Sequence, residues 1–333
     1  MTRFLLLVLL ATNIAFSQDC DPLLLESTMN SGTYPYNEFV EADGMRDGSD
    51  YDGATIYYPT NTSEIHASII IAPGYLNTEL TIQNWGPFLA SHGIVTMTIG
   101  TNGLTDTHLQ RRDALLDAKQ TLIDENQRQQ SPLYGVLDIE RIAVGGFSKG
   151  GGGAQMAAVA DPSFKAVIAL YPWLEDPIEE DLNHAIPVLI ISGELDFIAP
   201  PSEHANIHYD YTPSSTLKLK YEVQLATHDA IGGPFGGYNE VGSKTLAWLK
   251  TFLLEDDCYC PLLSLVPESA SQFTTNVECQ STSVIQQFKN DQKSLVKVTD
   301  ILGKEIDQKP TGQILFFFYN DGTMEKRIIS DWR

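Results

Sequence analysis

A short segment near the middle of the chain, residues 146–150 (Gly-Phe-Ser-Lys-Gly), constrains the fold more than any other feature. It directly follows a run of apolar and small residues, 141–146, and directly precedes a glycine- and alanine-rich helix start, 151–157. A serine at such a strand-to-helix turn has a strained backbone, and its hydroxyl is presented at the edge of the sheet. Glycine is needed on both sides because a side chain there would collide with the adjoining strand and helix. The segment therefore predicts that Ser148 is a nucleophile.

The segments on either side of this turn alternate between two patterns. Short continuous apolar runs rich in β-branched side chains are typical of strands buried on both faces of a sheet. Such runs predict strands at Ala54–Tyr58, His66–Ile71, Ile94–Ile99, Arg141–Gly146, Ala166–Leu170, Val188–Ser192 and Leu219–Leu225. Apolar side chains at helical spacing predict helices at Ile82–His92, Arg111–Glu125 and Val241–Leu254. This alternation predicts an α/β fold with a doubly wound, mostly parallel sheet.

A serine hydroxyl is a weak nucleophile until a base takes its proton, so Ser148 requires a histidine and an acid. In the α/β-hydrolase arrangement the three residues follow one another in the order serine, acid, histidine. Among the histidines beyond Ser148, only His228 lies in the loop after the last predicted strand. His204 and His208 are spaced for one helix face and are expected on the surface. His184 precedes a strand and is expected at the opposite end of the sheet.

The acid is expected in the loop after the preceding strand, within Ser192–Pro200. Asp196 lies deeper in the turn than Glu194, so Asp196 is the predicted acid. Its role would be to hold the imidazole tautomer and stabilise the positive form of the ring. Glu194, Glu175 and Asp176 remain as alternatives.

The oxyanion that forms in acyl transfer requires backbone N–H donors. One donor is expected from Lys149, which follows the nucleophile, and the other from Tyr75, in the loop after the first long buried strand. The ring of Tyr75 would then flank the acyl group of the substrate, and Trp173 would form the opposite wall. Ordinary core packing is the alternative interpretation of both rings.

The first residues have the pattern of a secretion signal. Arg3 supplies the positive charge, residues 4–11 form the apolar run, and Ala15–Ser17 supplies small residues for cleavage before Gln18. The apolar run is too short to span a bilayer, which disfavours a membrane anchor. We therefore expect a signal peptide at residues 1–17 and a secreted protein.

The formal net charge of the chain is -22 at pH 7. Nucleic acid and anionic membrane surfaces both need a basic patch, so this charge disfavours them as partners. The predicted chemistry needs no cofactor, and no ligand motif specifies a metal. We expect a monomer whose partner is an ester substrate.

Export makes disulfides possible for the four cysteines, Cys20, Cys258, Cys260 and Cys279. Four cysteines allow three connectivities. A bond between the near neighbours Cys258 and Cys260 would be strained, which leaves two connectivities. We favour Cys260–Cys279 with Cys20–Cys258. A zinc site is the alternative, but Cys20 is too remote in sequence for the usual paired ligand spacing.

Several short motifs occur in the order found in bacterial cutinases and poly(ethylene terephthalate) hydrolases, over roughly residues 30–260. They are Pro73-Gly74-Tyr75, Gly146-x-Ser148-x-Gly150-Gly151-Gly152-Gly153, Pro172-Trp173, Leu195-Asp196-x-Ile198-Ala199-Pro200 and Ala226-Thr227-His228. The resemblance implies a carboxylic ester hydrolase with Ser148, Asp196 and His228 as catalytic triad. It also implies an oxyanion hole from the amides of Tyr75 and Lys149, an open cleft lined by Trp173, and a disulfide between Cys260 and Cys279.

The chain departs from the family pattern beside the nucleophile. The family usually has His or Trp before the serine and Met after it, whereas this chain has Phe147 and Lys149. Lys149 puts a cation at the cleft floor in place of the Met of the family pattern. A cation there would attract a carboxylated ester, such as a monoester of a diacid.

The character of the chain changes after Cys260. Residues 263–280 are polar and predict a linker that carries a disulfide cysteine, which gives the catalytic domain the bounds 18–262. Residues 281–333 hold short strand-like runs at Val284–Phe288, Leu295–Thr299, Ile314–Tyr319 and Lys326–Ile329. The run 296–305 and the basic end resemble a type IX secretion sorting domain of the Bacteroidota, which implies a small β-sandwich and the type IX machinery as partner. A polymer-binding module is the alternative.

The preferred function is therefore a secreted, cutinase-like polyesterase that works through an acyl-enzyme. Small-ester esterases, lipases and dienelactone-type hydrolases share the fold and remain alternatives. Outside enzymes, a secreted binding protein on an inactive hydrolase scaffold is possible. A complete serine, acid and histidine set in the proper order disfavours that interpretation.

Overall fold

A computed structural model describes residues 20, 24–231, 233–279, 295–301, 303–306, 314–319 and 324–328. The chain divides into two compact units, residues 1–280 and 281–333. No helix in the described part of the chain has the length and apolar character to cross a bilayer.

The first unit is built on a nine-stranded sheet with the strand order β1-β2-β4-β3-β5-β6-β7-β8-β9. Its strands are β1 Tyr36–Val40, β2 Ala54–Pro59, β3 His66–Ala72, β4 Val95–Ile99, β5 Leu137–Phe147, β6 Val167–Leu170, β7 Val188–Gly193, β8 Lys218–Val223 and β9 Ala270–Thr275. The pairs from β4 through β8 are parallel, and β1, β2 and β9 pair antiparallel at the two sides. The mostly parallel sheet of an α/β fold is therefore confirmed.

The helices in the described residues of this unit are α1 Leu24–Thr28, α2 Trp85–Ser91, α3 His108–Gln127, α4 Lys149–Ala160, α5 Ala205–Tyr211 and α6 Glu240–Phe252. Short 3₁₀ turns lie at Glu41–Asp43, Glu79–Thr81, Glu179–Leu182, His228–Ile231 and Asp257–Leu263. The sequence predicts the second helix from Ile82, but it begins at Trp85. Pro87 has no N–H to donate and fits only in the first turn, which moves the start of the helix downstream.

Burial on both faces of the central strands holds the helices against the sheet. Every residue of β3 is buried, and Ile70 packs in one cluster with apolar residues of α3, α4 and α5. Ile69 and Ile71 point to the opposite face and are equally buried. A continuous apolar run is what a strand in this position requires, because neither face meets water.

The polar segment after Cys260 belongs to the sheet and is not the linker that the sequence predicts at residues 263–280. Ala270–Thr275 pairs antiparallel with β8 as the last strand of the sheet. An edge strand with one face toward solvent tolerates alternating polar residues, so its sequence lacks the apolar run of a central strand.

The disulfides tie both ends of the first unit to the segment after α6. Cys20 is bonded to Cys258, and Cys260 is bonded to Cys279. This is the connectivity favoured from the sequence. Two disulfides are typical of a protein that folds in an oxidising compartment.

The second unit contains a three-stranded antiparallel sheet of β10 Leu295–Thr299, β11 Ile314–Tyr319 and β12 Met324–Ile328. The predicted strand at 284–288 lies outside the described residues. Burial along β11 alternates, with Leu315 and Phe317 buried and Phe316 and Phe318 half-buried. The alternation indicates a sheet with one covered face.

Candidate active site

Three parallel strands of the first unit end at the same edge of the sheet. Residues Ser148, Asp196 and His228 follow the carboxyl ends of β5, β7 and β8 respectively. Because parallel strands place their carboxyl ends together, loops that are far apart in sequence meet there. The three side chains predicted as a triad therefore come together.

Hydrogen bonds connect these three side chains in a single line. His228 Nε2 lies 3.0 Å from Ser148 Oγ, and His228 Nδ1 lies 2.7 Å from Asp196 Oδ2. All three residues are buried, with 3–6 % of their surface exposed. With its Nδ1–H donated to the carboxylate, the imidazole has Nε2 free to accept the serine proton.

Backbone strain and close glycine packing hold Ser148 in place. Its φ of 55° and ψ of -120° lie in a region that side chains rarely adopt. A Cβ at Gly146 would lie 2.2 Å from the Gly150 carbonyl oxygen, and one at Gly150 would lie 2.4 Å from the Ala72 carbonyl oxygen. Only glycine fits at either position, which is why the Gly-x-Ser-x-Gly spacing accompanies this turn.

Asp196 is oriented by its own loop. Its Oδ1 accepts hydrogen bonds from the amides of Ile198 and Ala199, at 2.9 and 2.7 Å. The other oxygen is thereby directed at His228. Among the alternative acids, Glu194 accepts from the Leu225 amide at 2.8 Å and does not contact the imidazole.

The remaining alternative acids, Glu175 and Asp176, are exposed in the loop after Trp173. Neither has a hydrogen bond to His228 in the described part of the chain. The structure therefore brings Asp196, and none of the alternatives, to the imidazole.

Two aromatic rings enclose the imidazole. The ring centroids of Phe147 and Tyr171 lie 5.0 and 6.0 Å from that of His228. Burial, together with the charge of Asp196, raises the pKa of the Tyr171 hydroxyl. Sequence reasoning missed Tyr171, because an aromatic residue at the end of a strand is usually a core residue.

The loop after β3 lies directly against the nucleophile. A Cβ at Gly74 would lie 2.8 Å from Ser148 Cβ, so glycine allows the two backbones to approach. In this loop the amides of Leu76 and Asn77 donate to Leu104 and Gly74. The Tyr75 amide has no such acceptor among the described residues. Lys149 is the first residue of α4, and its amide likewise has no acceptor within the helix.

A buried arginine donates a hydrogen bond to this loop. Arg111 on α3 is fully buried and donates from its guanidinium to the carbonyl oxygens of Pro73, at 2.9 Å, and Leu104, at 3.3 Å. Burial lowers its pKa to about 10. The burial of Arg111 could have been predicted from the sequence, because Arg111 lies at helical spacing on the apolar face of this helix. That face is formed by Ala114, Leu115, Ala118 and Leu122.

The rings of Tyr75 and Trp173, which the sequence predicts as walls of the acyl site, both contact the Lys149 ammonium. Lys149 Nζ lies 4.6 Å from the ring centroid of Tyr75 and 4.7 Å from that of Trp173. The backbone amide of Trp173 donates to the Ser148 carbonyl at 3.0 Å, which fixes this wall beside the nucleophile.

Two histidines expected on the surface are buried near this wall. His204 stacks on Trp173 with ring centroids 5.6 Å apart. His208 is fully buried, and its Nδ1 lies 3.3 Å from Gln155 Oε1 of α4. The helical spacing of His204 and His208 is real, but His208 faces Gln155 of α4 and His204 faces Trp173, so neither side chain points to solvent.

The described residues contain no cluster of three or more His, Cys, Asp or Glu side chains that could hold a metal ion. The arrangement at the sheet edge instead offers a hydroxyl, an imidazole and a carboxylate in line. Backbone amides and aromatic rings lie beside them. This combination suits acyl transfer.

Comparison with known proteins shows which family this chain is similar to. The sequence profile of one family, described as PET hydrolase-like, matches residues 14–282. Cutinase est1 of Thermobifida alba is 34 % identical over 247 residues, which is 73 % of this chain and 79 % of the relative. Bis(hydroxyethyl) terephthalate hydrolase of Streptomyces coelicolor is 34 % identical over 246 residues, or 72 % of this chain and 76 % of the relative. A cutinase of Thermobifida fusca is 34 % identical over 238 residues, with shares of 72 % and 76 %.

Proposed function

The chain belongs to the PET hydrolase-like family, and we propose that this serine ester hydrolase cleaves the ester bonds of polyesters such as poly(ethylene terephthalate). The names of its relatives, cutinases and a bis(hydroxyethyl) terephthalate hydrolase, support this substrate class. The observation that carries the proposal is the unbroken line from Ser148 through His228 to Asp196. In this mechanism no cofactor takes part.

In the first half of the reaction Ser148 Oγ attacks the ester carbonyl carbon while His228 Nε2 takes the hydroxyl proton. Asp196 holds the ring and stabilises the imidazolium that forms. When the tetrahedral intermediate collapses, the bond to the alcohol oxygen breaks. The imidazolium returns its proton to that oxygen, and the acyl group remains on Ser148.

In the second half water replaces the alcohol. His228 takes a proton from the water as its oxygen attacks the acyl carbon. The bond to Ser148 Oγ then breaks, and the same proton returns to the serine, so the carboxylic acid leaves and the enzyme is restored.

The amides of Tyr75 and Lys149 are the proposed oxyanion donors in both halves. They flank Ser148 from the β3 loop and from the start of α4, which is the placement that this chemistry needs. The α4 N-terminus adds a favourable partial positive charge for the oxyanion.

The test is a paired assay on amorphous poly(ethylene terephthalate) film and on a soluble short-chain ester. The wild type should release terephthalate-type products from the film and hydrolyse the soluble ester. The Ser148→Ala variant should do neither. Activity that survives in this variant would overturn the mechanism.

The same assay separates the leading function from its alternative, a soluble-ester esterase. Hydrolysis of the soluble ester without products from the film would replace the polyesterase proposal by the esterase. The open placement of exposed Tyr75 beside Ser148 favours the polymer, since an extended chain needs an uncovered cleft.

We also propose that residues 1–17 are a signal peptide and that residues 281–333 form a β-sandwich sorting domain for type IX secretion. The two disulfides and the three-stranded antiparallel sheet support export and a small all-β unit. In a Bacteroidota host, the exported protein should begin at Gln18 by mass spectrometry. Deletion of residues 281–333 should stop its release, and unchanged release would contradict the sorting role.

The protein is proposed to act as a monomer. Light scattering on the purified protein should give the mass of one chain, and a dimer mass would contradict the proposal.

A further inference from the structure

Lys149 is an unusual cation for its position. It follows the nucleophile directly, and its ammonium lies between two aromatic rings, 4.6 Å from the centroid of Tyr75 and 4.7 Å from that of Trp173. These are the rings expected to line the acyl site. The Lys149 side chain thus occupies the space between the two rings that an aromatic acyl group would enter.

Lys149 forms no ion pair with a carboxylate of the described residues. Elsewhere in the chain Lys119 pairs with Asp161 at 2.6 Å and Arg141 pairs with Asp138 at 2.6 Å. Among the ion pairs of the described residues none contains Lys149. Its contacts are with the faces of two rings, which attract a cation without neutralising it. The ammonium therefore keeps the capacity to bind an anion.

The backbone places Lys149 directly beside the reacting atoms, and its ammonium contacts the two rings. Ser148 and Lys149 are neighbours at the α4 start, and the Trp173 amide donates to the Ser148 carbonyl at 3.0 Å. A substrate whose ester carbonyl reaches Ser148 must place the far side of its acyl group toward Tyr75 and Trp173. A second group on that acyl portion would meet the ammonium.

From this placement we propose that Lys149 determines specificity, by selecting esters whose acyl portion carries a free carboxylate. These are half-esters of dicarboxylic acids, aromatic ones above all. This assignment rests on the proposed ester hydrolase function. A neutral acyl group has to displace the ammonium from the two rings. A carboxylated one gains an ion pair with it, and its ring can still stack on the aromatic walls.

The proposed preference for anionic esters comes from one local cation, whereas the molecule as a whole is negatively charged. With a net charge of -22 the protein repels anions at long range. Glu175 and Asp176 in the loop after Trp173 are exposed and add to this repulsion. Binding of an anionic half-ester would therefore come from one short-range contact beside the two aromatic rings.

The experiment compares two substrates that differ by one carboxylate, mono(2-hydroxyethyl) terephthalate and bis(2-hydroxyethyl) terephthalate. Replacing Lys149 by Met removes the charge and keeps the length and apolar stem. Relative to wild type, Lys149→Met should lower kcat/KM for the half-ester about tenfold, which corresponds to about 1.4 kcal/mol. It should raise kcat/KM for the neutral diester by roughly threefold, because no ammonium has to be displaced.

Three controls make the result specific to this side chain. Lys149→Arg keeps the charge and should keep the preference for the half-ester. Lys165→Met removes the same charge from an exposed site before β6 and should leave the ratio of the two substrates unchanged. Terephthalate itself should inhibit the wild type competitively and Lys149→Met about tenfold less strongly.

The outcomes distinguish this inference from the function on which it rests. An unchanged substrate ratio in Lys149→Met, with both esters hydrolysed, would overturn the role of Lys149 and leave the ester hydrolase standing. A change of equal size in Lys165→Met would also overturn it, since net charge would then explain the effect. Failure of the wild type to hydrolyse either ester would instead overturn the proposed function.

Discussion

Two buried histidines of this protein differ mainly in what faces them. His228 at the sheet edge has the Asp196 carboxylate at 2.7 Å, whereas His208 on α5 has the amide oxygen of Gln155 at 3.3 Å. A carboxylate can stabilise an imidazolium, and a neutral amide in the interior does so far less. Burial accordingly lowers the pKa of His208 to about 3.

The same contrast extends to their neighbours. At the sheet edge, one ring nitrogen of His228 faces the Ser148 hydroxyl and the other faces the Asp196 carboxylate. In the interior, Arg111 and Lys244 donate to backbone carbonyls, and burial lowers their pKa values to about 10 and about 7. Buried basic groups with neutral partners thus contribute to packing, and the burial of their positive charge is unfavourable. The groups at the sheet edge are arranged for chemistry.

The largest effect is expected when the nucleophile is removed from this arrangement. Ser148→Ala should lower kcat on a soluble ester by roughly 10⁵–10⁶-fold, because no acyl-enzyme can form. Ser68→Ala is the matched control, since Ser68 is a fully buried serine on β3 whose hydroxyl has no hydrogen-bond partner in the described chain. Near wild-type activity in Ser148→Ala, with an unchanged circular dichroism spectrum, would contradict the assignment.

A smaller loss is expected when His228 is given the kind of partner that His208 has. Asp196→Asn replaces the carboxylate by an amide and should lower kcat about 10⁴-fold, because the imidazolium loses its stabilising charge and the tautomer is no longer fixed. Steady-state kinetics on a soluble ester measure it.

Glu194→Gln makes the same chemical change at the neighbouring acid. Because Glu194 contacts the Leu225 amide and not the imidazole, it should change kcat by less than about threefold. An equal loss in the two variants would mean that the acid has been assigned to the wrong residue.

His208 should make the fold sensitive to acid. Its folded pKa of about 3 lies below the unfolded value near 6.5. As pH falls from 6.5 toward 3 the unfolded chain binds a proton that the native chain does not, so stability is lost across this window. Between pH 6.5 and 4.5 the loss through His208 should reach up to about 2–3 kcal/mol.

Urea unfolding at several pH values measures this contribution, with His208→Gln as the variant that cannot titrate. The free energy of unfolding of His208→Gln should fall less steeply with acid than that of the wild type. Parallel pH curves for the two proteins would show that His208 does not carry the effect.

Lys244 should act in a different pH range and with a smaller effect. It is buried on α6, donates to the carbonyl oxygens of Leu262 and Leu265, and burial lowers its pKa to about 7. Above pH 7 the native lysine loses its proton while the unfolded one keeps it until about pH 10, so stability from this group rises with pH. Relative to Lys244→Met, the wild type should gain about 2 kcal/mol of unfolding free energy from pH 7 to 9. A difference that is constant over this range would refute the buried, titrating lysine.

Much of the candidate site could be predicted because its signals are local. Ser148 lies between an apolar run and a helix start, and His228 and Asp196 each follow a recognisable strand. Some turns require glycine, and some strands require apolar residues. Both features can be recognised from a few consecutive residues of sequence. The order of these loops then indicates which of them meet.

The sequence could not predict which residues that are far apart along the chain lie next to each other in the fold. The edge strand Ala270–Thr275 carries polar residues because one face meets solvent, and only its pairing with β8 defines it as a strand. His204 and His208 have a surface-like spacing, and their contacts with Trp173 and Gln155 bury them.

Short-range sterics and burial patterns encode the parallel sheet and the turn at Ser148, so both could be predicted from the sequence, as could the meeting of Ser148, His228 and Asp196. The contact of Arg111 with the Tyr75 loop and the position of Lys149 between two rings emerge only from the folded structure. Those contacts join segments that are distant along the chain. Their energies depend on the depth and orientation of partners that no local pattern records.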